Sequence, residues 1–137
     1  MNLVEQLLKA DAKKAEELET GVFLSKKLAK LLGSEEPVEV KIREIKSRRL
    51  NDIATYQVNK KGEMDFSKTF DAKLMTCVEG VIEPNLRDHE LQAHFTCAGA
   101  KDLCEKLFGS EVNELSDAIS ELSGIVDGEN QEDEVKN

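Results

Sequence analysis

Within the sixteen residues from 89 to 104 fall His89, His94, Cys97 and Cys104. Imidazole and thiolate are the ligands that close a tetrahedral zinc site. The spacing argues against one, because no Cys-x-x-Cys pair is present. On a helix, residues five apart sit about 140° apart around the axis, so the two histidines do not face one ligand. Nucleophilic catalysis needs a base within hydrogen-bond reach of an activated hydroxyl or thiol. Neither histidine neighbours a Gly-flanked Ser, and the chain has no phosphate-binding glycine loop. The paired carboxylates Glu16-Glu17, Glu35-Glu36 and Asp133-Glu134 lie in polar stretches, whereas general acid and base work needs a desolvated cleft. The expectation is therefore no catalytic residue, no metal and no cofactor. Cys77, Cys97 and Cys104 read as reduced thiols within apolar patterns, and the histidines as surface groups.

One dense basic cluster remains: Lys41, Arg43, Lys46, Arg48 and Arg49. It reads either as a solvated rim that pairs with acids of the same molecule, or as a contact surface for nucleic acid or an acidic protein. No aromatic residue is interleaved among these cations, so the stacking platform of a single-strand binder is missing and protein contact is favoured. Arg48 and Arg49 also fall at a helix start, where the helix dipole does not favour positive charge.

The elements that must position these groups follow from hydrophobic period. Asn2 and Glu5 form a capping box, after which Leu3, Val4, Leu7 and Leu8 recur at helical spacing. This first helix reads as extending to Glu19, with a second half that thins to Ala12, Ala15 and Leu18 and lies on the surface. Thr20-Gly21 stops it. Residues 21–25 and the alternating Val38, Val40 and Ile42 predict a β-hairpin, 21–25 with 37–43. Leu28, Leu31 and Leu32 between them predict a short helix closed by Gly33.

Ser47 is the expected cap of a helix carrying Leu50, Ile53, Ala54 and Val58, which ends at the Asn59–Gly62 turn. Asp65 caps a central core helix on which Phe66, Phe70, Leu74, Cys77, Val78 and Val81 form one apolar face, until Pro84 breaks it. Three short amphipathic helices follow, over 88–95, 100–108 and 111–123, with Ser110 as the cap of the last. The fold class is mainly α, a compact bundle of about five to seven short helices with the small β-hairpin in the N-terminal part. Residues 1–124 read as a single helical domain and 125–137 as an acidic disordered tail.

A chain of 137 residues has room for one modest core, and with aromatics at only 4% that core must be aliphatic. The net charge of −9 argues against a whole-protein grip on nucleic acid or anionic lipid. The charge is uneven: residues 1–50 hold 11 basic against 9 acidic residues, and residues 51–137 hold 8 against 19. The opening residues lack a secretory signal and no stretch reaches the roughly 18 apolar residues of a membrane span, so a cytoplasmic protein is expected.

Three segments carry a resemblance. They are Met1-Asn2-Leu3-Val4-Glu5-Gln6-Leu7-Leu8-Lys9-Ala10-Asp11; Glu36-Pro37-Val38-Glu39-Val40 leading to Arg48-Arg49-Leu50-Asn51-Asp52-Ile53; and the stretch from Phe70-Asp71-Ala72-Lys73-Leu74-Met75 to Leu115-Ser116-Asp117-Ala118-Ile119. In order and spacing they resemble the XkdN-like tail assembly chaperones of phages and phage-like elements of Gram-positive bacteria. The likeness spans nearly the whole chain apart from the acidic tail.

The resemblance implies a small protein of the bacterial cytoplasm that binds the helix-rich tape measure protein and keeps it soluble. It implies that tube subunits then polymerise around that protein and that the chaperone is absent from the mature tail. It also implies a form extended by ribosomal frameshifting that recruits the tail-tube protein. Neither nucleic acid nor membrane is an expected partner, and the oligomeric state is open. The residues expected to meet the partner are Leu3, Val4, Leu7 and Leu8, with Arg48 and Arg49 at the rim; plain core packing is the competing reading of the four aliphatic residues. The alternative function is a generic helical adaptor or regulator that uses the basic cluster 41–49 on nucleic acid or an acidic protein.

Overall fold

The computed structural model describes residues 2–125. The acidic stretch from Val126 onward, including the expected disordered tail, lies outside the described residues. The chain runs α1 (Leu3–Leu8), β1 (Thr20–Ser25), α2 (Lys26–Leu32), β2 (Val38–Arg43), α3 (Ser47–Tyr56), α4 (Thr69–Gly80), β3 (Val81–Glu83), α5 (His89–His94), α6 (Ala100–Phe108) and α7 (Val112–Leu122). The fold is mostly helical with an antiparallel sheet in order β1-β2-β3, as the hydrophobic periods require.

β1 and β2 pair from Thr20↔Arg43 to Ser25↔Val38, the expected pairing, and the expected short helix, α2, connects them. Ser25 ends β1 and caps α2 by accepting from the Leu28 N–H at 3.0 Å. Gly33 closes α2 with φ of 71°, the left-handed conformation that only glycine adopts without cost. The third strand was not foreseen. Val81 was expected on the apolar face of α4; instead the backbone turns extended there, with ψ of 120°, and Val81 pairs with Ile42.

Alternation on the two long strands selects the inner face. Val40 and Ile42 point into the core, and Glu39, Lys41 and Arg43 point away from it. Against the sheet packs α7, and α4 and α6 pack on α7 and on each other; Cys77, Leu103, Cys104, Phe108, Val112, Leu115 and Ile119 of these three helices are fully buried. Each large side chain so buried contributes about 1.5–3 kcal/mol, which makes this three-helix layer the main source of cohesion.

Several expected boundaries shift. The first helix ends at Leu8, not Glu19: Asp11 accepts from the Lys13 N–H and starts a separate 3-10 turn over Ala12–Glu16. Ser47 is the first residue of α3 and not its cap; Lys46 holds that position without a side-chain bond. Ser110 lies inside a 3-10 turn, Gly109–Glu111, and Glu111 precedes α7. Asp65 does cap the 3-10 turn Phe66–Lys68. The helix proper begins only at Thr69, so Phe66 falls in the turn before it and is 82% exposed, while Phe70, in the first turn of α4, is 43% exposed.

Candidate functional site

The chemistry-bearing residues are scattered. Cys77 and Cys104 are buried at the α4–α6 contact, while Cys97 is half-buried and His89 and His94 are exposed on and beside α5. Contact with the Cys104 thiol and burial together push the Cys77 thiol far above its ordinary range. The His94 ring rests edge-on against Phe95, with centroids 5.0 Å apart. Among the described residues no group of three or more His, Cys, Asp or Glu side chains could hold a metal ion.

The unsatisfied surface lies at the other end of the chain. Asn2 Oδ1 accepts from the Glu5 N–H at 2.9 Å and fixes the start of α1. The helix then presents Leu3, Val4, Leu7 and Leu8, which are 63–80% exposed, and none of its residues is buried. Core packing, the competing reading of these four residues, does not hold in this chain. Val22 and Leu24 add to the exposed grease on the outer face of β1, and Leu31 and Leu32 on α2. Eight of the fourteen large hydrophobic residues exposed among the described residues therefore belong to the first 32 positions.

The basic cluster surrounds a different feature. Arg49 Nε and Arg87 Nη2 both donate to Glu79 Oε1, at 3.0 and 3.1 Å, and Arg43 Nε donates to the Glu79 carbonyl at 3.4 Å. Lys41 pairs with Glu83 at 3.3 Å across the strands. Two of the five cations of the cluster, Lys41 and Arg49, thus pair with acids of their own molecule, as the solvated-rim reading expects. Arg48 and Lys46 are exposed and have no ion-pair partner among the described residues. Beside Arg49 opens a cleft lined by Leu18, Arg43, Glu44, Ile45, Lys46 and Glu79.

Of the six residues expected to meet a partner, the four on α1 form one exposed helical stripe, and Arg48 and Arg49 stand together on the first turn of α3. Of the six, only Arg49 lines the cleft described above. Arg87 and Glu79 were missed by the sequence reading. Their signal is tertiary: Arg87 lies 38 residues beyond Arg49, and only the β3 turn brings it back to α4.

No described helix is long and apolar enough to cross a membrane. A comparison with curated proteins returns no match. Among solved structures, the crystal structure of the Bacillus protein YqbN is similar, with a TM-score of 0.56 at 13% identity, over 80% of this chain and 90% of that one. At that identity the likeness speaks for the fold alone. The family model described as phage XkdN-like tail assembly chaperone protein matches residues 4–136. A match over nearly the whole length identifies the chain as a member of the phage XkdN-like tail assembly chaperone family, whose role as a chaperone implies no catalytic function.

Proposed function

We propose that this chain binds the tape measure protein of a phage tail, keeps it soluble, and leaves as tail-tube subunits polymerise around it. The observation that carries the reading is α1: four aliphatic side chains, 63–80% exposed, on a helix that buries nothing in its own molecule. An unassembled tape measure with long apolar helical stripes offers the complementary surface, and an amphipathic helix docks on such a stripe through residues spaced like these. Arg48 and Arg49 form a charged rim that favours acidic client segments and speeds encounter more than it adds affinity. Tail-tube subunits are reached through a frameshift-extended form, in the bacterial cytoplasm, and the chaperone is absent from the mature tail.

The test is co-expression of tape measure fragments with the parent chain and with Leu7→Asp, Leu8→Asp and Arg48→Glu variants. Placing a charge where a leucine would be buried costs at least about 1.4 kcal/mol, so capture should fall tenfold or more for the leucine variants. The arginine variant should weaken capture chiefly at low salt. Unchanged capture by variants with the parent circular dichroism would remove α1 from the interface. A failure of the parent chain to hold any tape measure fragment in solution would end the proposal.

A further inference from the structure

We propose that the groove between α3, α4 and α7 is a pocket for one primary-amide side chain, Asn or Gln, presented by a partner polypeptide. Helical period builds the groove. Leu50, Ile53 and Ala54 recur at i, i+3 and i+4 on α3, and Thr69, Ala72, Lys73 and Thr76 at i, i+3, i+4 and i+7 on α4, so each helix turns one face to it. Ser116 and Ser120, one turn apart on α7, close the third side. The space is about 230 Å³. That is below the roughly 300–1,000 Å³ of a site that encloses a whole small molecule, so the groove takes a side chain.

The lining holds hydroxyls that the fold leaves unpaired. Thr69 Oγ1 is the one buried side-chain nitrogen or oxygen among the described residues that meets no hydrogen-bond partner. Ser116 is 6% exposed, and neither its hydroxyl nor that of Ser120 bonds to another described residue. Thr76 Oγ1 donates to the Ala72 carbonyl at 3.0 Å and keeps its lone pairs. Hydroxyls both donate and accept, and a primary amide answers them with two donors and an acceptor on one uncharged group. Its aliphatic stem meets Leu50, Ile53 and the methyl of Ala72, the apolar part of the wall.

Charge selects the amide over the ionised side chains of similar length. Lys73 Nζ is turned to Asn113 Oδ1 at 2.7 Å. Asp117, exposed at the rim, has no ion-pair partner among the described residues and repels a carboxylate. Its attraction for an ammonium is screened at the surface, and the hydroxyl-lined wall offers no counter-charge for a cation taken out of water. None of the six residues assigned to the client contact lines the groove, and the inference stands independently of which client α1 binds.

The experiment titrates the full chain with the N-acetyl methylamides of glutamine, glutamate, lysine and norleucine and follows the backbone amide signals by NMR. The glutamine derivative should shift the signals of Thr69, Lys73, Ser116 and Ser120 with a Kd in the millimolar range that a ligand of this size reaches. It should bind about fivefold tighter than the other three, the worth of a neutral hydrogen bond. Ser116→Ala should remove that advantage and leave the norleucine derivative unchanged; if this variant does not fold, Ser120→Ala, nearer the surface, carries the comparison. Absent or evenly spread shifts would overturn the proposal, as would equal binding of the four derivatives or an unchanged glutamine affinity in the folded serine variant. So would shifts of the same signals caused by Asn130→Ala and Gln131→Ala with no derivative present, since the chain itself would then fill the groove.

Discussion

Gly80 is the last residue of α4 and sits where that helix meets α7. A methyl group built on it would fall 2.7 Å from Ile119 Cδ1 and 2.9 Å from Cγ1, with Cγ2 nearer still. Carbon atoms at rest stand about 3.5–4.0 Å apart, so Ile119 would have to retreat by about 1 Å. It is fully buried and has nowhere to go without displacing its neighbours. Overpacking of this kind costs about 1–3 kcal/mol. The opposing gain is the helix preference of alanine over glycine, at most about 1 kcal/mol in a helix interior and less at a terminal position. Gly80→Ala should therefore destabilise by a net of about 1–2 kcal/mol, read as a lower urea midpoint at unchanged m-value. Ile119→Ala removes all three clashing atoms and opens a cavity, which alone costs about 2–5 kcal/mol. In the double variant the new methyl partly fills that cavity, so the combined loss should fall short of the sum by at least about 0.5 kcal/mol. A Gly80→Ala chain as stable as the parent, or strict additivity with Ile119→Ala, would refute the close approach of the two helices.

Three further outcomes follow from particular contacts. Glu111 receives Ser25 Oγ at 2.6 Å and the Lys26 N–H at 2.9 Å, so a carboxylate from the far side of the chain finishes the cap of α2. Glu111→Ala and Ser25→Ala should each cost about 1–2 kcal/mol in chemical denaturation and should not add, because they break one network; additivity would show two independent caps. Burial pushes the Asp71 carboxyl up, but hydrogen bonds from Tyr56 and Lys101 and the Lys101 charge outweigh it and hold the group below its ordinary range. Its stabilising effect is therefore complete above the unfolded carboxylate value of about 3.9 and is lost as pH falls through the lower folded value; Lys101→Met should bring the Asp71 titration, followed by NMR, back toward ordinary. A thiol reagent should modify Cys97 alone in the native chain and all three cysteines in denaturant, and rapid native labelling of Cys77 or Cys104 would contradict their burial.

The period of the sequence reports which residues gain from burial, and that much was legible. Val38, Val40 and Ile42 alternate, and β2 follows; Leu103, Leu107 and Phe108 recur at helical spacing, and α6 runs over Ala100–Phe108 as read. What the period does not report is whether a surface exists to receive each stripe. The Leu3-Val4-Leu7-Leu8 stripe is as strong as any in the chain and stays exposed among the described residues. Phe66 extends the face of α4 in sequence, but a 3-10 turn at Phe66–Lys68 changes the angular step and rotates it off that face. Local caps failed for a related reason. Glu111, three residues before Glu114 and beside Ser110, looked like part of a helix start, whereas its carboxylate is spent on α2, 85 residues earlier.

The exposed stripe of α1 bears on how a chaperone of this kind can let go. A six-residue helix is well below the roughly 12–15 residues at which an isolated helix becomes even marginally stable, and the Asn2 cap fixes its start. Docking must therefore order a segment that costs free energy to fix, and that cost subtracts from the gain of covering four aliphatic side chains. The remainder is moderate affinity by construction. Moderate affinity spread over short helical contacts suits a partner that has to be displaced progressively as another protein polymerises along the client, whereas a large preformed dry interface would release slowly and stall it. On the proposed function, the core residues answer to each other and the stripe answers to the client.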